Sequence, residues 1–299
     1  PLIHREWAHA YRKHSLRPAA VDNFFFQTAA ASPFPDRTTY SGLLQGGAHA
    51  ADIDPETGAR WRWAGEVSLA APSQVPVIGL EISGRGLDGA QLLGFACEGD
   101  LLGAAMVDGD LSIVRAGLVR PLMPGEVVTI TPASMRPLSA LDPRVAGWGF
   151  EEISFLPCVT WSAPVLDLGA ASTAALGDVL IEGWSAPEPD RGLVWSEVEQ
   201  ATVAFALPTA LSGAISRLAL VCAPNPCVTG GQELSIVVNG QLAGAFLLDP
   251  AAGPTACEVD VTQLWRTGPN IVRLCVDRLA AVPGDPRQLG IALHRIAWC

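Results

Sequence analysis

Trp184 and Trp195 bracket two acids, Glu188 and Asp190, within the stretch Gly183-Trp184-Ser185-Ala186-Pro187-Glu188-Pro189-Asp190-Arg191-Gly192-Leu193-Val194-Trp195-Ser196. Its proline and glycine content marks it as a loop, the usual place for a binding site on a rigid scaffold. An indole is a broad apolar plate that can lie under the C–H face of a sugar ring, and carboxylates beside it accept hydrogen bonds from the hydroxyls. The competing reading is structural: two large aromatics can plug one end of a β-sandwich, and such side chains are usually highly buried. Residue types alone leave both readings open.

A second constellation, Asp285-Pro286-Arg287, pairs a carboxylate with a guanidinium two residues on. It can grip a ligand, or it can brace its own loop, the carboxylate accepting backbone N–H groups and the guanidinium capping carbonyls. Because Asp142-Pro143-Arg144 repeats it earlier in the chain, the brace is the simpler reading. Glycoside cleavage requires two carboxylates at a set separation across a cleft, and Glu188 with Glu197 or Asp190 is the local candidate set. Their closeness on one loop argues against that geometry. His4, His9, His14, His49 and His294 stand in no nucleophile motif, so no enzyme is expected.

Asp52, Asp54 and Glu56 alternate oxygen ligands ahead of Gly58 but lack the closing bidentate glutamate of a calcium loop, while Asp249 and Asp260 stand alone. Cys97, Cys158, Cys222, Cys227, Cys257, Cys275 and Cys299 show neither paired Cys-x-x-Cys spacing nor companion histidines. No metal and no cofactor is therefore expected. Cys222 and Cys227 bracket Ala-Pro-Asn-Pro, a turn that can bring two thiols into bonding range or leave both reduced.

Short strands must carry these loops. Charged residues make up only 16% of the 299, while Gly (30) and Pro (24) are abundant, a balance that suits strands joined by tight turns. In the first half the runs 66–70, 75–82, 90–96, 101–107, 111–116 and 127–131 read as strands. In the second half so do 201–207, 216–221, 234–238, 241–247, 257–261, 271–276 and 289–298. Asn239-Gly240 predicts a type I′ hairpin, whose two central residues need φ > 0. Laying residues 121–156 on 264–299, an offset of 143, superposes Gly125 on Gly268, Asp142-Pro143-Arg144 on Asp285-Pro286-Arg287, Gly147 on Gly290 and Ile153 on Ile296.

This internal repeat predicts an all-β chain of two related β-sandwich, jelly-roll-like domains over 41–165 and 170–299, divided where 162–175 interrupts the strand pattern. Residues 1–40 read as an N-terminal arm. Ile3, Trp7, Tyr11 and His14 fall there at helical spacing until Pro18; the arm can pack on the first domain, or its apolar face of Ile3, Trp7 and Tyr11 can bury against another chain or a second subunit. A net charge of −11 repels phosphate backbones and anionic headgroups, so neither nucleic acid nor a membrane surface is the expected partner. The opening residues carry charges and histidines where an export signal carries its apolar run, so a protein not secreted by that route is expected.

The motif Gly-Trp-Ser-x-Pro-Glu followed by Gly and Trp-Ser, here Gly183-Trp184-Ser185, Pro187-Glu188, Gly192 and Trp195-Ser196, resembles the opening of a β-sandwich domain that accompanies alphaproteobacterial polysaccharide glycosyltransferases. Asp285-Pro286-Arg287-x-Leu289-Gly290-x-x-Leu293 is similar to that domain's closing loop and last strand. The chain departs from the pattern at Glu197-Val198, where the family has Asp-Gly. Related domains occur in head spikes of gene transfer agents, phage-like particles that attach to capsular polysaccharide.

With the residue chemistry above, the resemblance implies a non-enzymatic, carbohydrate-binding structural protein whose sugar-binding set is Trp184, Glu188, Asp190, Trp195, Asp285 and Arg287. Its implied partners are capsular or cell-surface polysaccharide and, through residues 1–40, copies of itself or particle proteins. Its implied place is the particle surface, or the cytoplasm before release. An assembly subunit without sugar binding is the alternative. The first domain lacks the opening motif and offers only Trp61-Arg62-Trp63.

Overall fold

The computed structural model describes residues 40–41, 43–53, 60–171, 173–208 and 215–299, so the expected arm over 1–39, and Asp54 and Glu56, lie outside the described residues. Among the described residues the chain divides after Pro157 into two compact units. Each is almost wholly β, because side chains alternate between core and solvent along the strands. Over Val127–Pro132 and Arg217–Ala223 every second residue is buried, the period of a strand with one face on a core.

Seven strands frame the first domain: β1 (Arg60–Ala70), β2 (Val77–Gly86), β3 (Gln91–Cys97), β4 (Asp100–Val107), β5 (Ser112–Leu122), β6 (Val127–Pro132) and β7 (Trp148–Pro157). Seven frame the second: β8 (Gln200–Leu207), β9 (Arg217–Ala223), β10 (Gln232–Val238), β11 (Gln241–Leu248), β12 (Thr255–Asp260), β13 (Gly268–Val276) and β14 (Ala292–Trp298). The hydrogen-bonded rows are β4-β3-β6-β1 and β7-β2-β5 in the first domain, and β11-β10-β13-β8 and β14-β9-β12 in the second. Strand for strand the order is the same, so the sequence repeat is a repeat of topology.

The two domains differ at one seam. In the first, Arg62–Ala64 of β1 pairs with Trp148–Phe150 of β7 and joins both rows into one sheet. In the second, Val194–Trp195 takes the place beside β14, pairing with Leu293 and Ala292, and the rows stay separate. Each domain has its own core, one built around Phe95, Trp148 and Phe155, the other around Phe205, Leu234, Leu274 and Trp184.

Two hairpins correspond as well. Asn239 (φ 50°) and Gly240 (φ 84°) turn β10 into β11 as expected, and Glu98 (φ 51°) and Gly99 (φ 88°) do the same between β3 and β4. The second is invisible in sequence because glutamate, unlike asparagine, does not favour a left-handed conformation. Residues 162–175 differ from expectation: they belong to the second domain, with Val165–Asp167 pairing along β14. There Thr173–Val179 forms a short helix, α1, leading into Leu180–Glu182, which pairs with β8. Cys222 is buried and Cys227 exposed, both free. Asn225 organises their turn instead, its Nδ2 donating to the carbonyls of Ala280 and Leu289 at 2.9 and 2.7 Å. No helix among the described residues is long and apolar enough to cross a membrane.

Candidate functional site

The loop from Gly183 to Ser196 is built from its two indoles outward. Gly183 (φ 79°) must be glycine, since a Cβ there would meet Val198 Cγ2 at 2.3 Å. This turn drops Trp184 into the core at 4% exposure, where its Nε1 donates to the carbonyl of Thr202 on β8 at 2.9 Å. Ser185 Oγ accepts the Trp195 backbone N–H at 3.0 Å. Trp195 is 6% exposed and packs with Leu193, Leu289 and Ala292. Ser196 Oγ accepts the Ile291 N–H at 2.9 Å and fastens the loop to the start of β14. Gly290 is needed beside it, because a Cβ there would stand 2.3 Å from that oxygen.

The expectation that Trp184 and Trp195 lie under a sugar ring is corrected by this burial. Their faces are covered by core side chains and the Trp184 N–H is already satisfied, so both act as the plug of the sandwich end. The residues that carry the family resemblance are thus largely the frame of the loop.

Asp285 and Arg287 are a brace, the carboxylate meeting a backbone N–H as expected and the guanidinium meeting different partners. Asp285 Oδ1 accepts the Arg287 backbone N–H at 3.0 Å, while the guanidinium binds the same carboxylate through Nη2 at 2.6 Å and reaches Glu197 Oε1 through Nη1 at 3.1 Å. It turns to carboxylates and not to carbonyls. Side-chain hydrogen bonds from Arg287 hold the Asp285 carboxyl down to about 2. The first domain repeats the device: Arg144 Nη2 meets Asp142 Oδ2 at 2.7 Å and Asp52 Oδ2 at 3.0 Å. Hydrogen bonds from Arg144 likewise lower the Asp142 carboxyl.

What remains exposed is a polar rim. Glu188 and Leu193 exchange backbone hydrogen bonds, and Pro189, Asp190 and Arg191 stand out at the tip of the turn they close. Glu188 is held between Arg191 Nη1 at 3.0 Å and Arg287 Nη2 at 3.6 Å. Asp190 is exposed and enters no ion pair among the described residues. Arg191 and Glu197 complete this rim and were not among the expected sugar-binding residues. The three-residue step from Glu188 to Arg191 across a tight turn is the sequence signal for Arg191, and Glu197 enters the sequence reading only as a candidate glycosidase carboxylate. The rim alternates fixed donors and acceptors, the chemistry that recognises hydroxyl groups. Glu188 and Glu197 converge on one guanidinium and do not face each other across a cleft, so the arrangement is not that of a glycosidase pair. Among the described residues no cluster of three or more His, Cys, Asp or Glu side chains is arranged to hold a metal ion.

No protein-family model and no curated protein sequence matches the chain. Among solved structures the chain is similar to CsCBM6-3 from Clostridium stercorarium in complex with cellobiose. That likeness has 11% identity and a TM-score of 0.28, and covers 39% of this chain and 92% of that one. It is similar also to the carbohydrate-binding module CBM36 in complex with calcium and xylotriose, at 16% identity and TM-score 0.21, covering 33% of this chain and 72% of that one. A third is a glycoside hydrolase family 43 arabinoxylan arabinofuranohydrolase from Bacillus subtilis, at 11% identity and TM-score 0.30. It covers 58% of this chain and only 34% of that longer one. Likenesses at this level transfer no function.

Proposed function

We propose that the second domain binds carbohydrate through its polar rim, and that the protein is a non-enzymatic attachment component, a spike of a phage-like particle directed at capsular polysaccharide. The observation that carries the reading is the chain of donors and acceptors, exposed at Asp190 and Arg191 and half-buried at Glu188 and Arg287, standing on a turn that two buried indoles hold in place. Groups already fixed in the unbound protein lose little conformational freedom on binding, which is where weak polar contacts gain affinity. The motif Gly183 to Ser196 and the closing Asp285 to Leu293 support the same reading through their resemblance to polysaccharide-associated domains. Contact with particle proteins through residues 1–40 belongs to this proposal. The test is to incubate the full chain with purified capsular polysaccharides and follow both retention and chain length. Retention at unchanged length supports the proposal; shortening of the glycan, or no retention of any, defeats it.

Assembly is a second reading, favoured by one strand. β11 is a sheet edge with no charged residue, and it leaves Leu242 65% and Leu247 68% exposed. Such an edge invites an antiparallel partner, and an uncharged strand can accept a second copy of itself without repulsion. Leu247→Lys should then shift the chain from dimer to monomer in light scattering. A parent chain that is monomeric at high concentration rules the edge contact out.

A further inference from the structure

We infer that the first domain carries a separate binding site for an acidic sugar residue, centred on Arg85 and Trp63. The argument rests on comparing one register row in the two domains. In the first domain Trp63 of β1, Gly149 of β7 and Arg85 of β2 are direct neighbours across three strands. Shifting by the repeat offset takes Gly149 to Ala292, whose neighbours are Trp195 and Ala223. Each domain therefore sets an indole beside its last long strand at the same place.

The second domain seals that indole with apolar side chains and leaves it 6% exposed. The first domain does the reverse. Trp63 is only half-buried, and its six-membered ring lies so close to the backbone of Gly149 that a Cβ there would stand 3.0 Å from Trp63 Cε3. Where the second domain has Ala223, Arg85 extends over the rings, its guanidinium 4.6 Å from the Trp61 centroid and 5.1 Å from that of Trp63. Two indoles fix the plane of this guanidinium without using its N–H groups. Its Nε is buried with no acceptor, and no ion pair or side-chain hydrogen bond joins the Arg85 guanidinium to any of the described residues. The braces of both domains use their arginines on carboxylates; this one is held in position by indoles and meets no carboxylate among the described residues.

Its surroundings narrow the ligand. An oriented guanidinium fork matches a carboxylate in two parallel hydrogen bonds. Two rows further along, past a bulge that turns both Glu151 and Glu152 to the exposed side, Ser83 donates to Glu151 at 3.3 Å. Those carboxylates repel a phosphate or any densely charged anion, but they accept hydrogen bonds from hydroxyl groups. A ring with a single carboxylate, several hydroxyls and an apolar C–H surface satisfies the arginine, the glutamates and the half-exposed indole together. Uronate residues of an acidic polysaccharide have that composition.

Polygalacturonate and its fully methyl-esterified form separate the charge from the ring. Titrated calorimetrically into the full chain, the acidic polymer is expected to bind at least about tenfold more tightly than the ester, and Arg85→Gln to lose at least about tenfold of that affinity. Arg85→Lys, which keeps the charge without the fork, should recover only part of it. Equal binding of acid and ester overturns the inference without reliance on any variant's folding. So does parental binding by Arg85→Gln, or no binding by the parent chain.

Discussion

The two domains keep one architecture and differ in what they place at its edges. Strand order, the left-handed hairpin after the third strand, and the arginine brace recur in both. What changes is the row beside the last strand, sealed and apolar in the second domain, open and charged in the first. Shared features are those that close a sandwich; features held by one domain alone are those available for recognition. On the proposed function, the second domain's recognition surface lies outward, on the tip that its sealed tryptophans support.

The strongest way to break this comparison is to remove the plugs. Trp148 and Trp184 are each buried and donate Nε1 to a carbonyl of the first strand of their domain, Gly65 at 3.0 Å and Thr202 at 2.9 Å. Trp148→Ala and Trp184→Ala should each cost about 3 to 5 kcal/mol in denaturant unfolding. At the equivalent positions the effects should split: Trp195→Ala close to that range, Trp63→Ala nearer to about 1 kcal/mol, since part of that indole is already in water. A stable Trp195→Ala chain that has lost polysaccharide would restore the stacking role.

The braces give a smaller contrast. Arg287→Ala leaves Asp285 and Glu197 without their cation and Glu188 with Arg191 alone, and should destabilise the second domain by about 1 kcal/mol, the upper end for a partly exposed network. Arg144→Ala leaves only Asp52 and Asp142 and should matter less in the first domain. The pH dependence carries the same signature. The folded value of Asp285, about 2, lies below its ordinary 3.8, so its contribution is complete above about pH 4 and is lost as pH falls through about 2. Melting curves between those limits should fall for the parent more than for Arg287→Gln. Smallest is the hairpin: Glu98→Asn, which relieves a non-glycine residue at φ 51°, should stabilise by less than about 1 kcal/mol, measured as a shift in unfolding midpoint.

The fold was more legible than the site. Alternating apolar runs and the gapless match of Asp142-Pro143-Arg144 to Asp285-Pro286-Arg287 sufficed for two related sandwiches, because strand period and repeated loops are local properties. Whether Trp184 faces core or solvent depends on Thr202 and the β8 backbone, which no spacing within the loop encodes. Pairing Trp63 with Arg85 requires the register of β1, β7 and β2, residues separated in sequence by two turns and a long connection. Burial of Ser196 against Gly290 likewise appears only when the first loop meets the last strand.

The central claim is that the second domain recognises sugar with its exposed rim while its tryptophans serve only as frame. Titration of capsular polysaccharide into the parent chain and into an Asp190→Ala, Arg191→Ala variant, each with its melting temperature, tests it most directly. The variant is expected to melt with the parent and to bind about tenfold more weakly or worse. A variant that binds as tightly as the parent would contradict the claim.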